Sequence, residues 1–452
     1  MQRFFNGCAA VFIVCYAFEA VIRWLLNMVG MDAAIFARDV VLVVGAAGLV
    51  TQQALCRRLH PAVLVYLGIV GLHGLVFYLN FGLLSPIAVG AKALFACLAG
   101  ALAARFFMSP TKRVWWFFMG LWFVSVAATG ADKYFQAMPW VGMKANIGGL
   151  DVEIARDWEM SGESYRAGGL TRSSINCASL VPLLALLVFS QCRSFWLRAA
   201  ISIGTIGALY CTTQKGSLLA FIAVTGAVWV GSRLSVIVLR GAFLFFVLLM
   251  VLLPVVLVGY YMPEGGGGVF SSESFFMRVE GMWPEAWKWI GQHELFPFGV
   301  GLGGIGGAQQ MYAREQLNAA DNLFVFMYAY FGLMALVYLC LMTVAYWSVP
   351  RSCTPSDRNA LAMLLQIVAY GIAISILDDG AGAFFLGVAL SWIAYERKSP
   401  SDAWMTQAAP KAKKLPRWRI GTVKATRPPP ASDVEPLPAP VTPSQSPDVS
   451  PR

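Results

Sequence analysis

Charged side chains are scarce in this sequence: Asp, Glu, Lys and Arg make up 13% of its 452 residues. An ordinary soluble domain carries about 25%. The chain therefore lacks the polar surface to hold its apolar residues, 58% of the total, in water. Histidine is nearly absent, at 3 residues, and the 9 cysteines include no CxxC pair. Most of those cysteines fall inside apolar runs, where buried structural thiols are expected rather than a disulfide framework or metal centre. There is no P-loop, no internal repeat and no cytoplasmic segment large enough to bind a nucleotide. Any chemistry must draw its energy from the substrate.

What the sequence has is apolar runs, recurring along most of its length. They fall at 5–27, 36–55, 61–79, 83–104, 114–131, 174–191, 197–213, 216–232, 237–262, 321–348, 359–377 and 381–395. A run of about 18 residues can cross a bilayer. One could be a signal peptide, but a dozen cannot. The expected fold class is an all-α polytopic membrane protein of about 12 transmembrane helices.

Lys and Arg test that count, because they concentrate on the cytoplasmic side. With the N-terminus inside, the inner connections hold Arg57 and Arg58, then Arg105, Lys112 and Arg113, then Arg193 and Arg198. Arg233 and Arg240, Arg351 and Arg358, and Arg397 with Lys398 follow. The short outer connections carry only Arg38 and Lys215, close to helix ends. Twelve spans with both termini cytoplasmic fit best. This distribution of the net charge of +10 also argues against a nucleic-acid partner.

The chain then divides into residues 1–130 (spans 1–5), 131–173 (first outer loop), 174–262 (spans 6–9), 263–320 (large outer loop), 321–396 (spans 10–12) and 397–452. The last segment is rich in Pro, Ala, Ser and Lys and has too little apolar content to fold. Its Lys411, Lys413, Lys414, Arg417 and Arg419 suit anionic lipid headgroups. In the large loop, after the glycine run Gly265 to Gly268, Phe275, Val279, Met282, Trp283, Ala286, Trp287 and Ile290 recur at helical spacing. That predicts an amphipathic helix against the membrane or the protein body.

Three polar clusters sit on the outer side in this topology. Arg278 lies in the amphipathic segment, followed by Gly299, Gly301 and Gly303 and then by Asp321–Asn322 at the start of a span. The glycines allow close approach to a ligand; Asp321 could equally be a plain helix N-cap. Lys215, in the turn TTQKGS, is either a snorkelling cation or a fixed charge for a phosphate. Arg166 and Arg172 flank Gly168–Gly169 and either pair with acids of the first loop or receive a diphosphate. Together these cations and one carboxylate suit chemistry on a lipid diphosphate, the carboxylate orienting or deprotonating an attacking hydroxyl.

Residues 80–395 also resemble the bacterial O-antigen ligase and polysaccharide polymerase family. TTQKGSLLAFI is similar to its T-x-S-R-G-x-x-L-A segment, and FPFGVGLGG to its P-x-x-G-x-G. DNLFVFMYAYFGLMALVYL is similar to its H/D-N-x-x-L…G-L-x-G-L helix, and Arg278 with Trp283 to its R-x-x-x-W, offset by one. The resemblance implies a GT-C-like architecture in a bacterial inner membrane. The implied reaction is metal-independent, cofactor-free, inverting glycosyl transfer from an undecaprenyl-diphosphate-linked oligosaccharide at the periplasmic face. It assigns catalysis to Asp321, Arg278 and Arg172, and substrate binding to Lys215, Arg166, Asn322, Gly299, Gly301 and Gly303. The acceptor would be a glycan or lipid A-core, with membrane lipids, a flippase and a chain-length regulator as further partners. Asp321 stands where ligases usually have His, which favours a polymerase over a ligase; Lys215 keeps the usual arginine's charge without its fork. A transporter or flippase is the rival reading; the ionisable residues in the apolar runs, Glu19, Arg23, Arg38, Asp39, Lys92, Asp378 and Asp379, are few and form no chain of carboxylates across the membrane, which favours the enzyme.

Overall fold

The computed structural model describes residues 1–136, 138–147, 150–155, 165–189, 191–192, 194–230, 232–260 and 272–396. The glycine run Gly265 to Gly268 and the tail from Arg397 onward lie outside the described residues, as do Arg156, Asp157, Glu159, Glu163 and Arg193.

Each apolar run of the sequence carries helix among its described residues. The first half comprises α1 (Gln2–Ala17), α2 (Glu19–Met28), α3 (Ala37–Leu55), α4 (Pro61–Phe81), α5 (Ser85–Met108) and α6 (Lys112–Phe135). A two-stranded antiparallel pair follows, β1 (Lys144–Ile147) and β2 (Leu150–Glu153), where the sequence predicted only loop. Then come α7 (Ser174–Phe189), α8 (Phe195–Thr212), α9 (Lys215–Trp229) and α10 (Ser232–Val256). The large loop carries α11 (Glu273–Met277), a π-helical turn over Arg278–Met282 and α12 (Trp283–His293). The chain ends in α13 (Leu323–Phe331), α14 (Met334–Trp347), α15 (Pro355–Tyr370) and α16 (Gly380–Ala394).

Among the described residues, six helices are long and apolar enough to cross a membrane; α1 and α2 add a seventh if their bent pair is one span. Many large apolar side chains, Val44, Leu64, Phe123, Ile203, Phe245 and Val344 among them, face outward. Polar groups such as Glu19, Asn322, Asn359, Gln366 and Asp379 are turned inward. A soluble protein avoids apolar exposure on this scale, and the chain is an α-helical membrane protein.

Two expected single spans are broken. The 5–27 run bends by 81° at Phe18, between α1 and α2. Glu19 just beyond the bend binds Arg23 and Arg38, each at 2.8 Å, and the Ala20 N–H donates to Leu170 O at 3.0 Å. The 321–348 run breaks at Gly332 (φ +56°), where a Cβ would lie 2.2 Å from Pro297 O. There the Leu333 N–H donates to Pro297 O at 2.9 Å instead of continuing the helix.

Small residues set the tightest helix crossing. On α5, a Cβ at Gly100 would lie 1.9 Å from Phe384 O; on α16, one at Gly387 would lie 1.8 Å from Cys97 O. Each glycine lets the facing backbone approach where a side chain would collide, the general device for helix pairing in lipid.

Proline frees a carbonyl in two helices, since its missing N–H would have bonded the carbonyl four residues back. In α7, Pro182 frees Ala178 O, which accepts from Ser217 Oγ at 2.6 Å. In α10, Pro254 frees Met250 O, which accepts from Asn322 Nδ2 at 3.2 Å. Ser217 and Asn322 belong to two of the turns marked as candidate site segments, so the proline carbonyls anchor those turns to the bundle.

Candidate functional site

Arg278 opens the π turn, and such turns often mark functional positions in helices. Its Nη1 donates to Ser274 O at 2.7 Å and to Ser274 Oγ at 2.6 Å, one turn earlier. That grip aims Nη2 at Asp321 Oδ2, 3.0 Å away. The segment is fixed on the body: Trp287 Nε1 donates to Pro254 O and Trp289 Nε1 to Gly304 O, both at 2.7 Å. The expected amphipathic helix is therefore present, with Val279, Trp283, Ala286 and Ile290 buried as the spacing predicts, and Trp289 added to that face.

Asp321 is not the helix cap. Asn322 holds that role, its Oδ1 accepting from Phe324 N at 2.8 Å and Val325 N at 3.1 Å. Its Nδ2 donates to Met250 O and to Ile372 O at 3.3 Å, and the residue is fully buried. All of Asn322's side-chain capacity thus serves structure. Asp321 is released to face Arg278 at the cost of strained backbone: Ala320 (φ +60°) and Asp321 (φ +36°) are consecutive non-glycine residues in the left-handed region. Such strain costs roughly 1–3 kcal/mol per residue and concentrates at functional sites. Burial raises the Asp321 carboxyl above the usual aspartate value of 3.8, with Arg278 pulling it partly back.

Two further cations share the region. Arg166 is drawn below the ordinary guanidinium value by burial and by the charge of Arg278, while Tyr370 and Glu273 act against that shift. Lys215 begins α9 and lies within electrostatic reach of Arg166 and Glu273. Its turn is pinned by Gln214 Nε2 donating to Ser174 Oγ at 3.4 Å and by Ser217 on Ala178. Arg278 thus pairs with Asp321, Arg166 lies within electrostatic reach of Arg278 and Glu273, and Lys215 within reach of Arg166 and Glu273.

Two assignments change. The resemblance favoured Arg172 over Arg166, but Arg166 is the arginine that feels Arg278, whereas Arg172 acts on Glu19 of the α1–α2 bend. Between those arginines the loop is tied to α6: Asp132 Oδ2 accepts from the Gly168 and Gly169 amides, at 2.9 and 2.8 Å. Gly299, Gly301 and Gly303 serve packing. At φ +79°, +96° and +93°, a Cβ would lie 2.6 Å from Gly332 N, 2.5 Å from Phe77 N and 2.5 Å from Pro86 O, respectively. The glycine loop is a wedge seated on α4, on the start of α5 and on the α13–α14 break.

Glu273, Ser274 and Tyr370 belong to the neighbourhood and were not singled out from the sequence. Ser274 carried a signal, four residues before Arg278 on one helix face. A second polar knot lies elsewhere in the bundle: Tyr16 donates to Asp379, Asn176 Nδ2 and Gly380 N donate to Tyr16 Oη at 3.2 and 3.1 Å, and Arg38 lies 4.7 Å from the Tyr16 ring centre. No protein-family model matches the chain, and no curated protein matches it in sequence.

Proposed function

We propose that this chain is a polysaccharide polymerase of the bacterial inner membrane, joining glycan from undecaprenyl diphosphate to a glycan acceptor at the periplasmic face. In this reading the apolar helices form 12 spans of GT-C-like architecture, with both termini cytoplasmic. The observation that carries it is the Arg278–Asp321 pair at a strained turn beside the large loop, with Arg166 within electrostatic reach of Arg278 and Lys215 within reach of Arg166. Forked guanidinium groups bind phosphate oxygens bidentately and are the natural partners of a diphosphate.

The chemistry follows from those groups. An acceptor hydroxyl attacks the anomeric carbon of the donor sugar as the bond from that carbon to the diphosphate oxygen breaks. The cations stabilise the negative charge that grows on the leaving diphosphate. Asp321 takes the hydroxyl proton, and a carboxylate whose pKa is raised toward the working pH is a better base than an exposed one. The product keeps the glycan on the acceptor and leaves the lipid diphosphate behind.

The test is the glycan profile of a deletion strain carrying either the wild-type protein or Asp321→Ala. Loss of long polysaccharide with accumulation of single lipid-linked repeats supports the polymerase. Long chains that persist on the lipid carrier without reaching lipid A-core indicate a ligase. An unchanged profile overturns the enzyme and brings forward the transporter.

A further inference from the structure

Tyr370 ends α15 and is 2% exposed. The next two residues are bonded to the Asp321 turn: Gly371 O accepts from Leu323 N at 2.7 Å and Ile372 O from Asn322 Nδ2 at 3.3 Å. On its other side the ring meets the Lys215 turn, where a Cβ on Gly216 would lie 3.6 Å from Tyr370 Cδ2. Tyr370 is thus fixed between the two turns, within electrostatic reach of Asp379, then of Arg278 and Asp321; Asp379 is already engaged by Tyr16 and by the Gly382 N–H at 3.1 Å. Its hydroxyl is buried and, among the described residues, has no hydrogen-bond partner. Most buried hydroxyls are paired, so an unpaired one beside a charged site needs a reason.

Competition at Arg278 supplies one. Nη1 is engaged by Ser274 and Nη2 by Asp321. An anion arriving at that guanidinium competes with the Asp321 carboxylate for Nη2 and repels it. The carboxylate, 21% exposed, then needs another donor or is left poorly solvated. A phenol O–H makes a short, strong bond to a carboxylate.

We infer that Tyr370 is a positioning residue that receives the Asp321 carboxylate when a diphosphate takes Arg278. This rests on the reading of Arg278 as the diphosphate-binding group. The handover lifts the carboxylate off its cation at the step where it must accept a proton, and ties that step to occupancy of the site.

The test measures binding of a polyprenyl diphosphate to the full-length protein in lipid nanodiscs. Tyr370→Phe removes only the hydroxyl, which has no partner among the described residues, so thermal stability is expected to hold. Affinity should fall about tenfold, the size of one charge-assisted hydrogen bond. In an Asp321→Asn background, where no displaced carboxylate needs a donor, Tyr370→Phe should change affinity less than about twofold. An equal loss in both backgrounds overturns the handover, because Tyr370 would then touch the ligand directly. No loss in either background overturns the inference, and if Arg278→Ala still abolishes binding, the reading of Arg278 stands. If Arg278→Ala binds as tightly as the wild type, both fall.

Discussion

Asn322 donates its amide to the carbonyl that Pro254 leaves without a helical partner, Met250 O, at 3.2 Å. The same residue caps α13 through Oδ1. One buried side chain therefore closes two backbone deficits in an apolar bundle, where each unsatisfied group costs several kcal/mol. It also leaves its neighbour Asp321 free to face Arg278.

Asn322→Asp keeps the capping oxygen and removes the amide, so it should lose stability through Met250 and Ile372. We expect a loss of about 2–3 kcal/mol, part of which Pro254→Ala recovers by returning an N–H to Met250 O. Thermal unfolding in detergent of the two single variants and the double variant measures this coupling.

Asp321→Asn is expected to abolish glycan transfer while leaving the protein as stable or more stable. The sign follows from the raised carboxyl. For an acid whose folded pKa lies above its unfolded value, the stabilising contribution is present below the unfolded pKa and lost as pH rises through the folded one. At neutral pH the charged Asp321 thus weakens the fold, and a neutral amide removes that penalty. Melting temperature at pH 7 against transfer activity checks the trade.

Wild-type activity should fall on acidification with a midpoint above 3.8, since Asp321 acts as a base and burial raises its pKa. Arg278→Ala, which deletes the group that lowers it, should move any residual activity's midpoint upward. A pH–rate profile of membranes containing each protein gives the answer.

Gly301→Ala should fail to fold. Its Cβ would sit 2.5 Å from Phe77 N at φ +96°, and backbone cannot yield as a side-chain tip can. A cost of about 3 kcal/mol or more is expected. Gly7→Ala, with nothing within 4 Å, is the matched control. Monodisperse yield after detergent extraction distinguishes the two.

Glu19→Gln should leave Arg23 without its carboxylate and buried Arg38 with only the looser Asp39 pair at 3.8 Å. Breaking a buried pair in this way costs about 3–5 kcal/mol. We expect a lower melting temperature with normal transfer per folded molecule. A selective loss of activity without a loss of stability would place this knot in the mechanism.

The amino-acid sequence by itself determined the class of the molecule. Apolar runs are a local property, and each became helix because lipid offers the backbone no other partner. The amphipathic α11–α12 segment was legible for the same reason, since the period of its apolar residues is contained within it. The Glu19–Arg23 pair, one helical turn apart, was legible too. Tertiary structure decided the rest. The break at Gly332 depends on a carbonyl from Pro297, and the role of Gly301 depends on the backbone of α4. Whether Asp321 or Asn322 caps α13 turns on Met250 and Ile372, far away in sequence. Arg166 rather than Arg172 feels the charge of Arg278, and the loop between the two arginines is held by Asp132 on α6. A charge is visible in one residue, but what it meets is set by which distant backbones can come close enough to hold both.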